Sequence, residues 1–273
     1  MAGFRTFLKS GHTPTLFAAF FYLTFSFVIW VMNGAMAPFI SEEFNLTAAQ
    51  KGLLLSIPIV AGAVMRFPLG LLAQYVGRKT ATLVELALIT VTMSYGYFFV
   101  QTYDDMLKMA LLLGVAGASF GVAMSLGSGW YPPKYKGLAM GLVGAGNAGT
   151  AIAALLAPPL AQAYGWQTVY GFAALASIVP MLVVAFMAKE PPDRDVHASM
   201  REHLACLLEK DGWVFSLIYV VTFGGFIGLT TFLPSYYYDQ FGVSKVQAGQ
   251  LTMLAAFMGA ALRVFGGWIS DHW

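Results

Sequence analysis

Eight apolar runs of membrane-spanning length constrain this chain more than any other feature. They lie near 15–38, 52–73, 80–100, 107–130, 138–160, 168–188, 213–236 and 248–270. A helix needs about 20 apolar residues to cross the hydrocarbon core. Inside that core every backbone N–H and C=O must be satisfied within the segment, so a run of this length becomes a helix. The chain therefore reads as an all-α, multi-pass membrane protein. Composition agrees, with 58% hydrophobic and 10% charged residues, where a soluble domain carries roughly a quarter charged. The 29 glycines fit as well, because glycine lets helices approach closely in lipid.

The connections set the organisation. Those between the first six runs are short, such as Tyr75 to Lys79 and Tyr131 to Gly137. The longest polar stretch runs from Lys189 to Asp211 and contains Pro191, Pro192, Asp193, Arg194 and Asp195. The expected organisation is a six-helix bundle over 1–188, a cytoplasmic linker over 189–211, and the start of a second bundle over 212–273. Met1 to Ser10 is short and basic and leads straight into a run of spanning length, which reads as a signal anchor rather than a cleaved leader.

Orientation follows from the cations. With the amino terminus in the cytoplasm, the inner segments carry Arg5, Lys9, Arg78, Lys79, Lys134, Lys136, Lys189, Arg194, Arg201 and Lys210. The outer segments carry Lys51, Lys108 and Lys245. That bias places the chain in the cytoplasmic membrane with its amino terminus inside. Trp130, Tyr131, Trp166, Trp213 and Tyr236 fall near helix ends, where an aromatic belt is expected.

The chain also repeats itself. At an offset of 197 residues Phe44 falls on Phe241, Gln50 on Gln247, Gly62 on Gly259, Arg66 on Arg263 and Gly70 on Gly267. Parallel repeats of six spans, with the substrate between the halves, are a known transporter plan. The second and eighth spans then hold equivalent places, and the chain reads as a fragment of a protein of about 12 spans, cut after Trp273.

Arg66 and Arg263 are the basic residues well inside apolar spans. A guanidinium at mid-bilayer costs at least about 2.5–3.5 kcal/mol and stays charged. Each is flanked by glycine four residues away on both sides, so one helical face reads small, Arg, small. Symmetry predicts that the two face one another across the bundle interface, where planar guanidinium forks suit a small planar oxyanion. The competing reading is structural: an ion pair, or a side chain snorkelling to the inner face. Glu85, near Arg78 and Lys79, is the clear candidate for such a pair.

The fifth span opens Gly137-Leu-Ala-Met-Gly141-Leu-Val-Gly144-Ala-Gly146-Asn147-Ala-Gly149-Thr150, followed by Pro158 and Pro159. On chemistry alone Gly141, Gly144, Gly146 and Gly149 are helix-packing residues. Asn147 could equally donate to an anion or bond between helices.

Here the residues resemble a family. Gly70-Leu-Leu-Ala-Gln-Tyr-Val-Gly77-Arg78-Lys79 is similar to the loop-two signature of the major facilitator superfamily, with Gln74 where the signature has an acid. The second copy, Gly267-Trp-Ile-Ser-Asp271, keeps the acid. Within that superfamily, Ala139 to Thr150 resembles the nitrate signature of the nitrate/nitrite porters, and Arg66 and Arg263 match their two substrate arginines. The resemblance implies a complete amino-terminal six-helix half plus the first two helices of the second. It implies further that Asn147 contacts the substrate, that Phe120 packs on it and that Tyr219 hydrogen-bonds it. Without the resemblance both aromatics read as core. Gly70, Gly77, Arg78, Gly267 and Asp271 would form the conformational motif. A second nitrate signature would fall in an eleventh span, beyond Trp273.

The expected function is alternating-access transport of nitrate or nitrite by a monomer in the lipid bilayer. Exchange and proton symport both remain open as the coupling. A carrier for another small anion, such as a short carboxylate, and a membrane anion sensor are the rivals. An enzyme is excluded by the lack of a metal cluster, nucleophile elbow or phosphate loop. No cofactor or metal is expected, since Cys206 is the single cysteine and His12, His197, His203 and His272 lie at ends or in cytoplasmic segments. A net charge of +2 gives no reason to expect nucleic acid.

Overall fold

Polar caps divide the apolar sequence into helices, and the strongest caps recur. Thr47 accepts from the Gln50 N–H while the Gln50 side chain accepts from the Thr47 N–H, and this pair opens the second span. Thr102 with Asp105 opens the fourth span in the same way, and Ser244 with Gln247 the eighth. Such reciprocal caps satisfy two backbone donors that a helix start leaves free. Gly77 and Gly165 separate consecutive spans as single-residue joints, with φ of 99° and 84°, a region that suits only glycine.

The computed structural model describes residues 2–192, 205 and 208–271. Among these residues eight helical segments are long and apolar enough to cross a membrane: Thr13–Trp30, Ala48–Val76, Arg78–Phe98, Tyr103–Ser128, Pro133–Tyr164, Trp166–Met187, Lys210–Phe241 and Lys245–Ser270. The chain is thus an all-helical, multi-pass membrane protein, and the eight expected spans all appear. Most of the linker expected at 189–211, with Arg194, Arg201, His197, His203 and Cys206, lies outside the described residues, as do His272 and Trp273. Lys189 and Glu190 at its start are tied down: the Lys189 N–H donates to Thr15, and Glu190 accepts from the N–H groups of Arg78 and Lys79. Glu190 thereby caps the third span, a role with no signature in sequence.

Two features differ from expectation. A short helix, Ala2–Lys9, precedes the first span, and Phe7 on it is buried in a stack on Tyr131, ring centroids 4.7 Å apart. The aromatic belt is also partial. Tyr131 and Trp166 are buried, whereas Trp213 and Tyr236 are more than half exposed. The cause is local, because Glu43 accepts the Trp166 indole N–H at 2.6 Å and draws that ring inward.

Among the described residues five spans lose regularity midway. The first breaks after Trp30 and continues as Met32–Ala35 and Ala37–Glu43. The fourth breaks at Ala118. The fifth tightens to a three-residue turn over Ala145–Ala148, and the seventh widens to a π turn over Val220–Gly224. The sixth breaks at Ser177, between Trp166–Ala176 and Ile178–Met187.

The last two spans attach along narrow strips. Gly267 lies so close to the fifth span that a Cβ there would sit 2.6 Å from the Gly137 carbonyl oxygen. Beside it the Asp271 carboxylate accepts from the N–H groups of Gly137 at 2.8 Å and Leu138 at 2.7 Å. At the opposite end Lys51 pairs with Asp239 at 2.7 Å, and Glu42 takes both Lys245 and the Tyr238 hydroxyl. The Glu42 carboxyl is held below the ordinary value, first by the Lys245 hydrogen bond and then by that from Tyr238.

Candidate anion site between the second and eighth spans

The second span places Arg66 where small residues let helices close on one another. Gly62, one turn earlier, faces Gly117 and the edge of Trp30. Trp30 is fixed in turn by its indole N–H, which donates to the Pro58 carbonyl at 2.8 Å. The Arg66 Nε reaches the Gly117 carbonyl at 3.4 Å. Gly70, one turn further on, faces open space.

Around the Arg66 guanidinium stand four rings: Phe223 at 5.2 Å, Trp30 and Phe120 at 5.9 Å and Tyr219 at 6.0 Å. Arg263 comes from the other side. Its aliphatic stem runs against Gly144, and its guanidinium lies 5.5 Å from the Phe120 centroid and 5.6 Å from that of Phe223. The two arginines therefore share two aromatic rings. Each such contact is worth about 0.5–2 kcal/mol, which moderates a half-buried cation without neutralising it. Neither guanidinium forms an ion pair among the described residues.

Of the residues that sequence singled out, Arg66, Arg263, Phe120 and Tyr219 come together. Tyr219 stacks on Phe223 at 4.8 Å, and its hydroxyl has no hydrogen-bond partner. A cavity of about 190 Å³ opens on Arg66, Tyr219, Phe223 and Trp30, whereas Arg263, Phe120 and Asn147 lie outside its lining. Asn147 is buried one turn past Gly144, with its amide oxygen unpartnered. The glycine run around it splits its duties. Gly141 and Gly144 face the eighth span, whereas Gly146 and Gly149 face the first.

Glu85 does not pair with Arg66. It is fully buried in the first six spans and takes the Tyr22 hydroxyl instead. Gly77 supplies the joint after the second span, and Arg78 donates to the Ser125 carbonyl at 3.1 Å. Trp30 and Phe223 are the site residues that sequence reasoning missed. Phe223 was findable one turn after Tyr219, but Trp30 sits in a helix apolar on all sides and carries no periodic signal.

Residues 17–273 fit the family described as Major Facilitator Superfamily. The chain belongs to the Major Facilitator Superfamily.

This chain is similar to several curated relatives. It is 29% identical to the "Nitrite extrusion protein" of Bacillus subtilis (strain 168), over 91% of this chain and 63% of that protein. It is 32% identical to the "Probable nitrate/nitrite antiporter NarK1" of Thermus thermophilus, over 91% of this chain and 59% of that protein. Against the "Probable nitrate transporter NarT" of Staphylococcus haemolyticus (strain JCSC1435) identity is 31%, over 91% and 64%. The chain thus spans about three-fifths of the length of these relatives. Among solved structures, the human organic anion transporter MFSD10 (TETRAN) superposes with a TM-score of 0.71 at 13% identity, covering 94% of this chain and 72% of the other. An inward-facing bacterial homologue of human Spinster gives 0.67 at 21%, covering 88% and 57%. These likenesses concern the fold. The relatives are transporters and not enzymes.

Proposed function

We propose that this chain carries nitrate, nitrite or both across the cytoplasmic membrane by alternating access, with the anion held between Arg66 and Arg263. One observation carries the reading: two guanidiniums lie within 6 Å of the same two ring centroids, with no ion pair among the described residues. Half-buried cations inside apolar spans need a counter-charge, and a planar oxyanion offers edges to both forks and a face to Phe120 or Phe223. The names of the three relatives support nitrate and nitrite as the class of cargo.

Mechanistically, the empty site holds two like charges whose repulsion opposes closure. A bound anion offsets part of that charge and lets the bundles rock about it. The Tyr219 hydroxyl and the Asn147 amide are the neutral groups positioned to complete its hydrogen bonds. The amino terminus lies in the cytoplasm, so the Asp271 end closes the inner face and the Glu42 end the outer. The carrier works as a monomer, because both arginines belong to one chain.

The test is labelled nitrate and nitrite uptake into proteoliposomes. Arg66→Ala and Arg263→Ala are each expected to abolish it. Near-normal uptake by either variant defeats the reading, and preferential competition by a short carboxylate would reassign the cargo.

A further inference from the structure

Where the fifth and eighth spans meet at the Asp271 end, a cavity of about 700 Å³ opens along one flank of their contact. Its walls are apolar: Leu138 and Leu142 from the fifth span, and Ala261, Val264, Phe265 and Trp268 from the eighth. On the eighth span these residues lie across the helix from Gly259, the side that meets Phe226. The internal repeat indicates what covers them. At the offset of 197 residues, Ala261 and Val264 correspond to Val64 and Phe67 of the second span. Those two stay 65% and 51% exposed although the six spans of their half are in place. The face is therefore turned to lipid and not to another helix of its own half, because acyl chains are the solvent of a spanning bundle.

The mouth of this cavity is basic. Lys134 lines it, with Nζ 5.5 Å from the centroid of the Tyr135 ring. Phe7 lines it too, edge-on to Tyr135 at 5.9 Å, and this contact seats the Ala2–Lys9 helix at the opening. Arg5 and Lys9 stand one turn apart on that helix, and both are exposed. Among the described residues neither they nor Lys134 form an ion pair. The acid in the lining, Asp271, is already engaged by the N–H groups of Gly137 and Leu138. Leu142 also walls a second apolar recess, of about 370 Å³, against Leu16, Phe17 and Phe20 of the first span. Two apolar grooves that share a rim beside a cationic mouth match a ligand with two hydrocarbon tails and one anionic head. Basic pockets between spanning helices take anionic lipid headgroups on the same grounds.

We propose that this cavity binds one anionic phospholipid, its phosphate on Lys134 with Arg5 and Lys9 beside it, and its two tails in the grooves on either side of Leu142. The inference goes beyond the anion reading, since none of these residues lines the cavity at Arg66. Its walls come from both halves of the repeat, so the bound lipid joins them. Each cation beside the headgroup favours an anionic lipid over a zwitterionic one by roughly fivefold. Free phosphate gains the same charge but leaves both grooves unfilled.

The test reads Trp268 in bilayers, and nitrate flux plays no part in it. The full chain is reconstituted into phosphatidylcholine with rising fractions of phosphatidylglycerol brominated on its tails, where bromine quenches a tryptophan that it touches. The fluorescence component that Trp268→Phe removes should be half-quenched at a lipid fraction at least about fivefold lower than with brominated phosphatidylcholine. Lys134→Gln should reduce that preference about fivefold. Lys136→Gln, outside the lining, should keep it. Equal quenching by the two lipids overturns the proposal, as does a preference that survives Lys134→Gln. An equal loss in Lys136→Gln also overturns it, because the attraction would then be that of a diffuse basic surface. So does relief of quenching by millimolar inorganic phosphate, which would make Lys134 a site for a free anion.

Discussion

The second and eighth spans are copies of one another in sequence and differ in how they sit. Both begin with a reciprocal cap, and both carry an arginine between glycines that reaches Phe120 and Phe223. At the end that carries Gly70 and Gly267 they part. Gly267 is pressed onto Gly137 and Gly141, and Asp271 holds the fifth span, whereas Gly70 faces open space and Gln74 stands in the place of the acid. Their first glycines differ too, since Gly62 meets Gly117 and Trp30 but Gly259 meets the Phe226 ring. The repeat therefore preserves the arginine and the two rings it reaches, where we propose the anion binds, and relaxes what touches the neighbouring helices. A site built on a symmetry axis requires the first, whereas packing is settled separately for each copy.

The comparison can be broken first at the arginines. If their roles are equivalent, Arg66→Ala and Arg263→Ala should each weaken nitrate binding to the purified chain by about 1.5–3 kcal/mol per lost charged hydrogen bond, roughly 10- to 150-fold. A strongly unequal pair of titrations would end the equivalence. Next come the glycines. Gly267→Leu should lower stability by about 1–3 kcal/mol through overpacking, and Gly70→Leu by no more than about 0.5 kcal/mol. Unfolding in detergent, followed by tryptophan fluorescence, reads both. The caps should behave alike, with Thr47→Ala and Ser244→Ala each costing about 1 kcal/mol in the same assay.

The smallest effect concerns the contacts of Glu42. Glu42 has its carboxyl lowered by Lys245 and then Tyr238, so the contribution of this contact is fully present above the ordinary carboxylate pKa of about 4.3. It should be lost as pH falls below that value through the lowered one. The Glu42 side chain is half exposed, so solvent screening keeps the effect small. A distance label across Glu43 and Gln240 should report opening at this end on acidification, and Glu42→Gln should remove the pH dependence. An unchanged profile in Glu42→Gln would mean that another group sets it.

Much of this was legible in sequence, for identifiable reasons. Spans announce themselves because lipid forbids an unsatisfied backbone, and caps such as Thr47–Gln50 mark where they begin. Arg66 and Arg263 were legible because a cation in an apolar run needs a reason. Trp30 and Phe223 were not, since in a helix surrounded by lipid and protein an aromatic residue has no distinctive periodicity. The break at Ala145–Ala148 was hidden for a related reason: the glycines that predict close packing do not say which neighbour each will meet. Glu190 was obscure because its cap joins residues 112 apart in the chain.

The one-residue joints at Gly77 and Gly165 have a mechanical consequence. A pivot requires spare chain, and between the second and third spans, or the fifth and sixth, there is none. Force applied to one member of either pair must reach the other almost undiminished. Lengthening a joint by two or three residues would leave each helix intact yet uncouple its partner's tilt. Such insertions would therefore show whether the pairs move as levers or merely as neighbours.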